Sequence, residues 1–161
     1  MASAHDFAEI ARSASEAKKT TLRDVDLRRY QNPSPNTCYA LEYAFYLLPD
    51  IREKVVLDLG CGSGEELVPL CQRGARVIGI DISPDLIALA YQRLRKYGVD
   101  AELRIASAYD TKLADESVDV VFCMSLLHHL QLDRVQPEIA RILKPNGLLI
   151  LKEPIRFSWS L

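Results

Sequence analysis

Glycine is scarce in this sequence: there are seven in 161 residues, and three of them fall between positions 60 and 64. Charge of one sign is also lacking, since 20 basic residues face 22 acidic ones for a net charge of −2. That balance excludes a strongly basic nucleic-acid binder of the electrostatic kind, though not an enzyme whose substrate is RNA or protein. Four cysteines (Cys38, Cys61, Cys71, Cys123) show no C-x-x-C spacing. They read as reduced thiols of a cytosolic protein and not as a zinc site or a disulfide framework. No apolar run approaches about 18 residues, so no membrane span is expected. Residues 1–9 include an acidic residue and lack an apolar core, which argues against a secretory signal and for a cytoplasmic location.

What is present is ordinary in bulk: 48% hydrophobic and 26% charged residues suit one soluble domain with a real core. Residues 4–17 place Phe7, Ile10, Ala11, Ala14 and Ala17 at helical spacing. Residues 18–29 are charge-rich and read first as a solvated face or linker. Asn32-Pro33-Ser34-Pro35-Asn36 is a turn, opening a helix over 37–48 that carries Tyr39, Tyr43, Phe45 and Tyr46. Residues 1–53 therefore form an N-terminal helical extension, and the regular core occupies 54–161. Strands are expected at 55–59, 76–81, 101–106 and 118–123, and from 148 onward. Helices are expected at 65–73, from 84 to 97, and near 134–143. Ser83-Pro84 supplies a cap and a first-turn proline, and Gly98 a stop. Strands that are continuously apolar and alternate with helices specify an α/β protein with a parallel sheet covered on both faces.

The strongest motif is Val56-Leu57-Asp58-Leu59-Gly60-Cys61-Gly62-Ser63-Gly64. Glycines between a buried strand and a helix let the backbone turn tightly and approach a ligand with no Cβ in the way. A dinucleotide fingerprint wants its third glycine at 65, where Glu65 stands, followed by Glu66. Two carboxylates there would repel a pyrophosphate, and no Gly-Lys-Ser/Thr follows to make a Walker loop. The expected ligand lacks phosphate and carries positive charge, and Asp58 adds another carboxylate. Asp81 ends the second strand, where a carboxylate can accept from both ribose hydroxyls. An aspartate at such a place is often a helix cap, but Ser83 already fills that role. The 60–64 loop, Asp81, residues 107–109 and residues 123–126 all map to the carboxyl edge of the sheet.

These residues, together with Gly79-Ile80-Asp81-Ile82-Ser83, Ser117-Val118-Asp119-Val120-Val121, Leu127-His128-His129-Leu130 and Leu143-Lys144-Pro145-Asn146-Gly147, resemble the class I S-adenosylmethionine-dependent methyltransferases over about 54–153. The small-molecule type that includes quinone-biosynthesis methyltransferases is the most similar group. The resemblance implies a Rossmann-like, doubly wound parallel sheet in the order 3-2-1-4-5. It also implies S-adenosylmethionine as cofactor and methyl transfer to a small-molecule acceptor. Gly60, Cys61, Gly62 and Gly64 would hold the methionine part, with Asp58 near its ammonium. Asp81 would bind the ribose, Ile82 would pack on adenine, and Cys123 and Met124 would line the sulfonium end. Where the family often has an acidic residue for the adenine amino group, this chain has Ser107, followed by Ala108 and Tyr109. No metal site is expected.

The resemblance names no acceptor and no general base. His128, His129 and Glu153 are the candidates near the active edge, each with a plainer alternative: a cap or packing role for the histidines, an exposed strand end for Glu153. Tyr30, Tyr39 and Tyr43 suggest a lid over the cofactor, against simple packing. Two further strands usual in the resembled fold need roughly 30 residues and do not fit after 151. The fifth strand is then an open edge, and the chain is either a truncated form or one whose edge is covered by a second copy. The alternative function is a cofactor-binding module without independent catalysis. A nicotinamide-dependent oxidoreductase is the remaining reading. No nucleic-acid partner is expected.

Overall fold

The computed structural model describes residues 24–154 without a break, with Ala11, Ser15, Ala17 and Leu22 ahead of them. Ala11, Ser15 and Ala17 are helical, and the rest of the helix expected over 4–17 lies outside the described residues. Within the continuously described residues 24–154, helices α1 (Arg28–Gln31) and α2 (Ala40–Leu47) precede the sheet. The strands are β1 (Val55–Leu59), β2 (Arg76–Asp81), β3 (Glu102–Ile105), β4 (Val118–Met124) and β5 (Leu143–Lys152). The helices among them are α3 (Leu67–Gln72), α4 (Pro84–Tyr97) and α5 (Leu132–Ile142). Every strand pairing is parallel, and the order is β3-β2-β1-β4-β5. The chain therefore reverses its winding between β1 and β4, the place where open α/β sheets leave a crevice for ligands.

Local chemistry explains most boundaries. The Ser83 hydroxyl accepts from the Leu86 N–H at 3.3 Å, Pro84 fills the first turn, and Gly98 closes α4 at φ 63°. Helix α3 starts at Leu67, later than the expected 65, because no side chain caps it and the left-handed Gly64 just before it delays the helical turn. The Pro145-Asn146-Gly147 turn lies inside β5 instead of ahead of it. Leu143 already pairs with Val118, and Leu148 pairs with Val120, so residues 144–147 bulge opposite Asp119. Asp119 holds that bulge: its Oδ2 accepts from Lys144 Nζ at 2.8 Å and from the Val55 N–H at 2.9 Å.

Alternating strand residues feed two cores. Val56, Val77, Val120, Phe122 and Ile150 meet α2, α3 and α4 on one face. Leu57, Leu59, Ile80, Val121 and Cys123 meet α5 on the other. The segment before β1 joins the first core, where the fully buried Phe45 of α2 lies 5.0 Å from Phe122 and 4.9 Å from Tyr30 between ring centres. β3 and β5 are the sheet edges, and Leu148 and Leu151 of β5 are exposed. All four cysteines are unpaired thiols. Among the described residues no helix is long and apolar enough to cross a membrane.

Candidate active site

Strand alternation sends Leu57 and Leu59 to the α5 face, which leaves Asp58 on the opposite face under the start of α3. There it is 1% exposed, and its Oδ2 has no hydrogen-bond partner. Burial pushes its carboxyl well above the ordinary value, and the neighbouring Glu66 and Asp81 carboxylates push the same way. A buried carboxylate oxygen without a donor is costly in a folded chain and calls for a reason.

The loop beyond β1 is pinned to β2. The N–H groups of Gly60 and Cys61 both donate to the Ile80 carbonyl, at 2.8 and 2.9 Å. The Gly62 N–H donates to Asp81 Oδ2 at 3.0 Å, while Asp81 Oδ1 accepts from the Ser83 N–H at 2.8 Å. Two glycines do different work here. Gly64 has φ 79°, and a Cβ on it would lie 3.0 Å from the Ala90 Cβ, so it lets α4 close on the loop. Gly62 has φ 51° and open space where a Cβ would stand, so the backbone itself faces the cleft.

The tips of β2 and β3 continue the edge. Ile82 is half-buried next to Asp81. The Ala106 N–H donates to the Asp81 carbonyl at 3.1 Å, carrying residues 107–109 to the same end of the sheet. Ser107 Oγ accepts from the Tyr109 N–H at 3.2 Å, with Ala108 half-buried between them. The Tyr109 hydroxyl accepts from the Gln131 N–H at 2.8 Å, and the Arg134 guanidinium lies 4.3 Å above its ring.

Across the cleft, Cys123 is fully buried and its thiol is pushed up to about 12 by burial, with the Asp58 and Glu153 carboxylates adding. Met124 is half-buried beside it, and the Ser125 N–H donates to the Lys152 carbonyl at 2.7 Å. A short 3-10 turn, Leu127–His129, follows. Glu153 caps it: its Oε1 accepts from the N–H groups of Leu126 and Leu127 at 2.9 and 2.8 Å. Its Oε2 lies 2.6 Å from His128 Nδ1 and 3.4 Å from the His128 N–H. Burial raises the Glu153 carboxyl, but the His128 bond and the backbone donors outweigh it and hold the group below its ordinary value. The His128 and His129 rings lie 3.8 Å apart. Glu153 is thus half-buried and engaged, not an exposed strand end. The sequence could not show this, because its partners lie 25–27 residues earlier with no periodic relation to it.

A cavity of about 300 Å³ opens between the N-terminal segment and the first turn of α3. Asp24, Asp26, Arg29, Tyr30, Glu65 and Glu66 line it. Desolvation raises the Glu66 carboxyl despite a backbone donor. In the sequence Glu66 reads only as hostile to phosphate. Of Tyr30, Tyr39 and Tyr43, Tyr30 lines this cavity, while Tyr39 and Tyr43 are exposed, the Tyr39 ring lying 4.5 Å from the guanidinium of the cavity-lining Arg29. Among the described residues no cluster could hold a metal ion.

A family model described as a methyltransferase domain matches residues 57–151, more than half of the chain. The chain belongs to the methyltransferase domain family. This methyltransferase domain is 35% identical over 95 residues to a ubiquinone biosynthesis O-methyltransferase of Agrobacterium fabrum, covering 58% of this chain and 38% of that protein. It is 35% identical over 116 residues to a ribosomal protein L11 methyltransferase of Pasteurella multocida, covering 71% of this chain and 38% of that protein. The chain spans well under half the length of either relative. Its fold matches that of a Haemonchus contortus phosphoethanolamine N-methyltransferase, solved with phosphoethanolamine and S-adenosylhomocysteine, at a TM-score of 0.71 and 20% identity. That likeness covers 92% of this chain and 32% of that one.

Proposed function

We propose that this methyltransferase domain binds S-adenosylmethionine and transfers its methyl group to a small-molecule acceptor. The observation that carries the reading is the orphaned Asp58 Oδ2, buried beside the 60–64 loop. A carboxylate kept out of water without a donor suits a ligand that brings a cation. Glu66 and Asp81 lie close enough to raise its pKa, so the site disfavours a pyrophosphate. The methionine ammonium and the sulfonium meet that requirement, and a dinucleotide does not. The residues present therefore fit the cofactor.

In this reading Gly60, Cys61, Gly62 and Gly64 surround the methionine part, with Asp58 near the ammonium. Asp81, whose two oxygens accept from the Gly62 and Ser83 N–H groups, takes the ribose hydroxyls on its remaining lone pairs. Ile82 packs on adenine, while Ser107, Ala108 and Tyr109 bound its far side. Cys123 and Met124 line the sulfonium end. When bound, the cofactor supplies a methyl carbon already activated for in-line displacement. The domain's own work is alignment and exclusion of water. Where the acceptor must lose a proton, His128 is the base. Glu153 holds Nδ1, which leaves Nε2 as the nitrogen that receives the proton. The cavity beside Tyr30 and Glu66 has the scale of a small molecule. A second copy of the chain is proposed to cover the β5 edge, which no further described strand pairs and where Leu148 and Leu151 are exposed.

Titration calorimetry tests the donor assignment. Heat with S-adenosylhomocysteine and none with NAD is expected, and silence with S-adenosylhomocysteine at millimolar concentration overturns it. Turnover with a pooled metabolite extract tests the acceptor: S-adenosylhomocysteine release that ignores the extract argues against a small molecule. Sedimentation as a monomer at all concentrations rejects the edge pairing.

A further inference from the structure

Helix α4 buries Leu86, Ala90, Arg93 and Leu94, a spacing that marks one face of a helix. Three of these are apolar core residues. The fourth is an arginine, 1% exposed, among the largest fully buried side chains of the protein. A guanidinium taken out of water is costly unless its donors meet acceptors, so the use made of those donors is informative.

Arg93 Nε donates to the Ser63 carbonyl at 2.8 Å. Its Nη2 lies 3.4 Å from Ser63 Oγ and 3.3 Å from Glu65 Oε1. The Ser63 carbonyl belongs to the same peptide plane as the Gly64 N–H, which donates to the Cys61 carbonyl at 2.8 Å. That plane is thus held at both ends. The plane between Cys61 and Gly62 is held as well: its N–H goes to Asp81 and its carbonyl accepts from Gly64. The Gly62–Ser63 plane lies between these two anchors, next to the open space at Gly62. Because α3 begins only at Leu67, the Ser63 carbonyl has no helical donor, and Arg93 supplies one. One turn earlier on the same helix, Ala90 fits against Gly64. Helix α4 therefore supports the loop from behind by one packing contact and one charged contact.

We infer that Arg93 is a positioning residue that holds the 60–64 loop in the shape that grips the methionine part of the cofactor. The inference rests on the donor reading above. Arg93 touches no reacting atom and acts through the orientation of the Ser63–Gly64 peptide. A lysine at 93 carries the charge on a single nitrogen and cannot reach Ser63 and Glu65 in the same fork.

The test compares two ligands on the parent and on Arg93→Lys: S-adenosylhomocysteine, and 5′-methylthioadenosine, which keeps the adenosine and sulfur but lacks the amino-acid part. A loss of about tenfold or more for S-adenosylhomocysteine is expected, with 5′-methylthioadenosine changed by less than about twofold. Equal losses for both ligands, or no loss for either, overturn the inference. Glu65→Gln, a change at a half-exposed side chain, keeps the fold if the lysine variant unfolds. It should weaken only S-adenosylhomocysteine, by roughly twofold to threefold, and an unselective or absent effect again overturns the inference. A parent that binds neither ligand sinks the donor reading instead, so the two failures are distinct.

Discussion

The two halves of the carboxyl edge are built in opposite ways. At the β1–β2 half, backbone N–H groups and Asp81 fix the loop, yet Asp58 is left buried with an oxygen that nothing satisfies. At the β4–β5 half, Glu153 is fully engaged by the turn it caps and by His128. The first carboxylate is raised by its surroundings and the second is lowered. The difference shows where the protein satisfies a carboxylate by itself and where it does not, and the latter half is the one proposed above to bind the cofactor. A carboxylate held below its ordinary value stabilises the fold around it, while one pushed above it costs stability and marks a candidate functional site.

The harshest test of the first half is Gly64→Val. A left-handed φ and a Cβ at 3.0 Å from Ala90 should lower stability by about 2–5 kcal/mol and abolish S-adenosylhomocysteine binding. Urea unfolding and calorimetry read both, and retained binding would show that α4 can move away from the loop.

Glu153→Gln attacks the second half. Loss of the charged cap should cost about 1.5–3 kcal/mol at neutral pH. Because the folded-state value is lowered from 4.5, this stabilisation is present above the unfolded value and is lost as pH falls through the lowered one. The gap between parent and variant melting temperatures should therefore close in acid.

Asp58→Asn should act with the opposite sign. A raised carboxyl destabilises the ligand-free fold above its unfolded value of 3.8, and protonation relieves the penalty as pH falls through the raised value. The amide should stabilise the ligand-free protein by about 1–3 kcal/mol at neutral pH, fading toward acid, while weakening cofactor binding. Destabilisation at neutral pH would erase the contrast between the two halves.

Ser107→Ala should be the mildest change, lowering S-adenosylhomocysteine affinity by about threefold or less. Ser107→Asp should strengthen binding if the adenine amino group lies there, and a weaker complex would place adenine elsewhere.

Much of this was legible in the sequence because it is local. Continuous apolar runs announced β1, β2 and β4, Ser83-Pro84 and Gly98 bounded α4, and three glycines marked the loop. The β5 bulge was not legible, because a Pro-Asn-Gly run reads as a turn until the Lys144–Asp119 pair fixes it within a strand. Tyr39 and Tyr43 shared a helical face with a third aromatic residue, Tyr46, but periodicity does not say whether that face meets the cleft or solvent.

The sequence by itself determined which segments extend, which coil, and that a phosphate-hostile glycine loop ends the first strand. These follow from residue-by-residue backbone preference and from the periods of strand and helix. Only the tertiary structure decided that Asp58 has no donor, that Glu153 is used up by a turn 25–27 residues earlier, and that Arg93 reaches back 30 residues to Ser63. Those facts depend on which atoms meet when separate elements pack, and no local pattern encodes a distance between them.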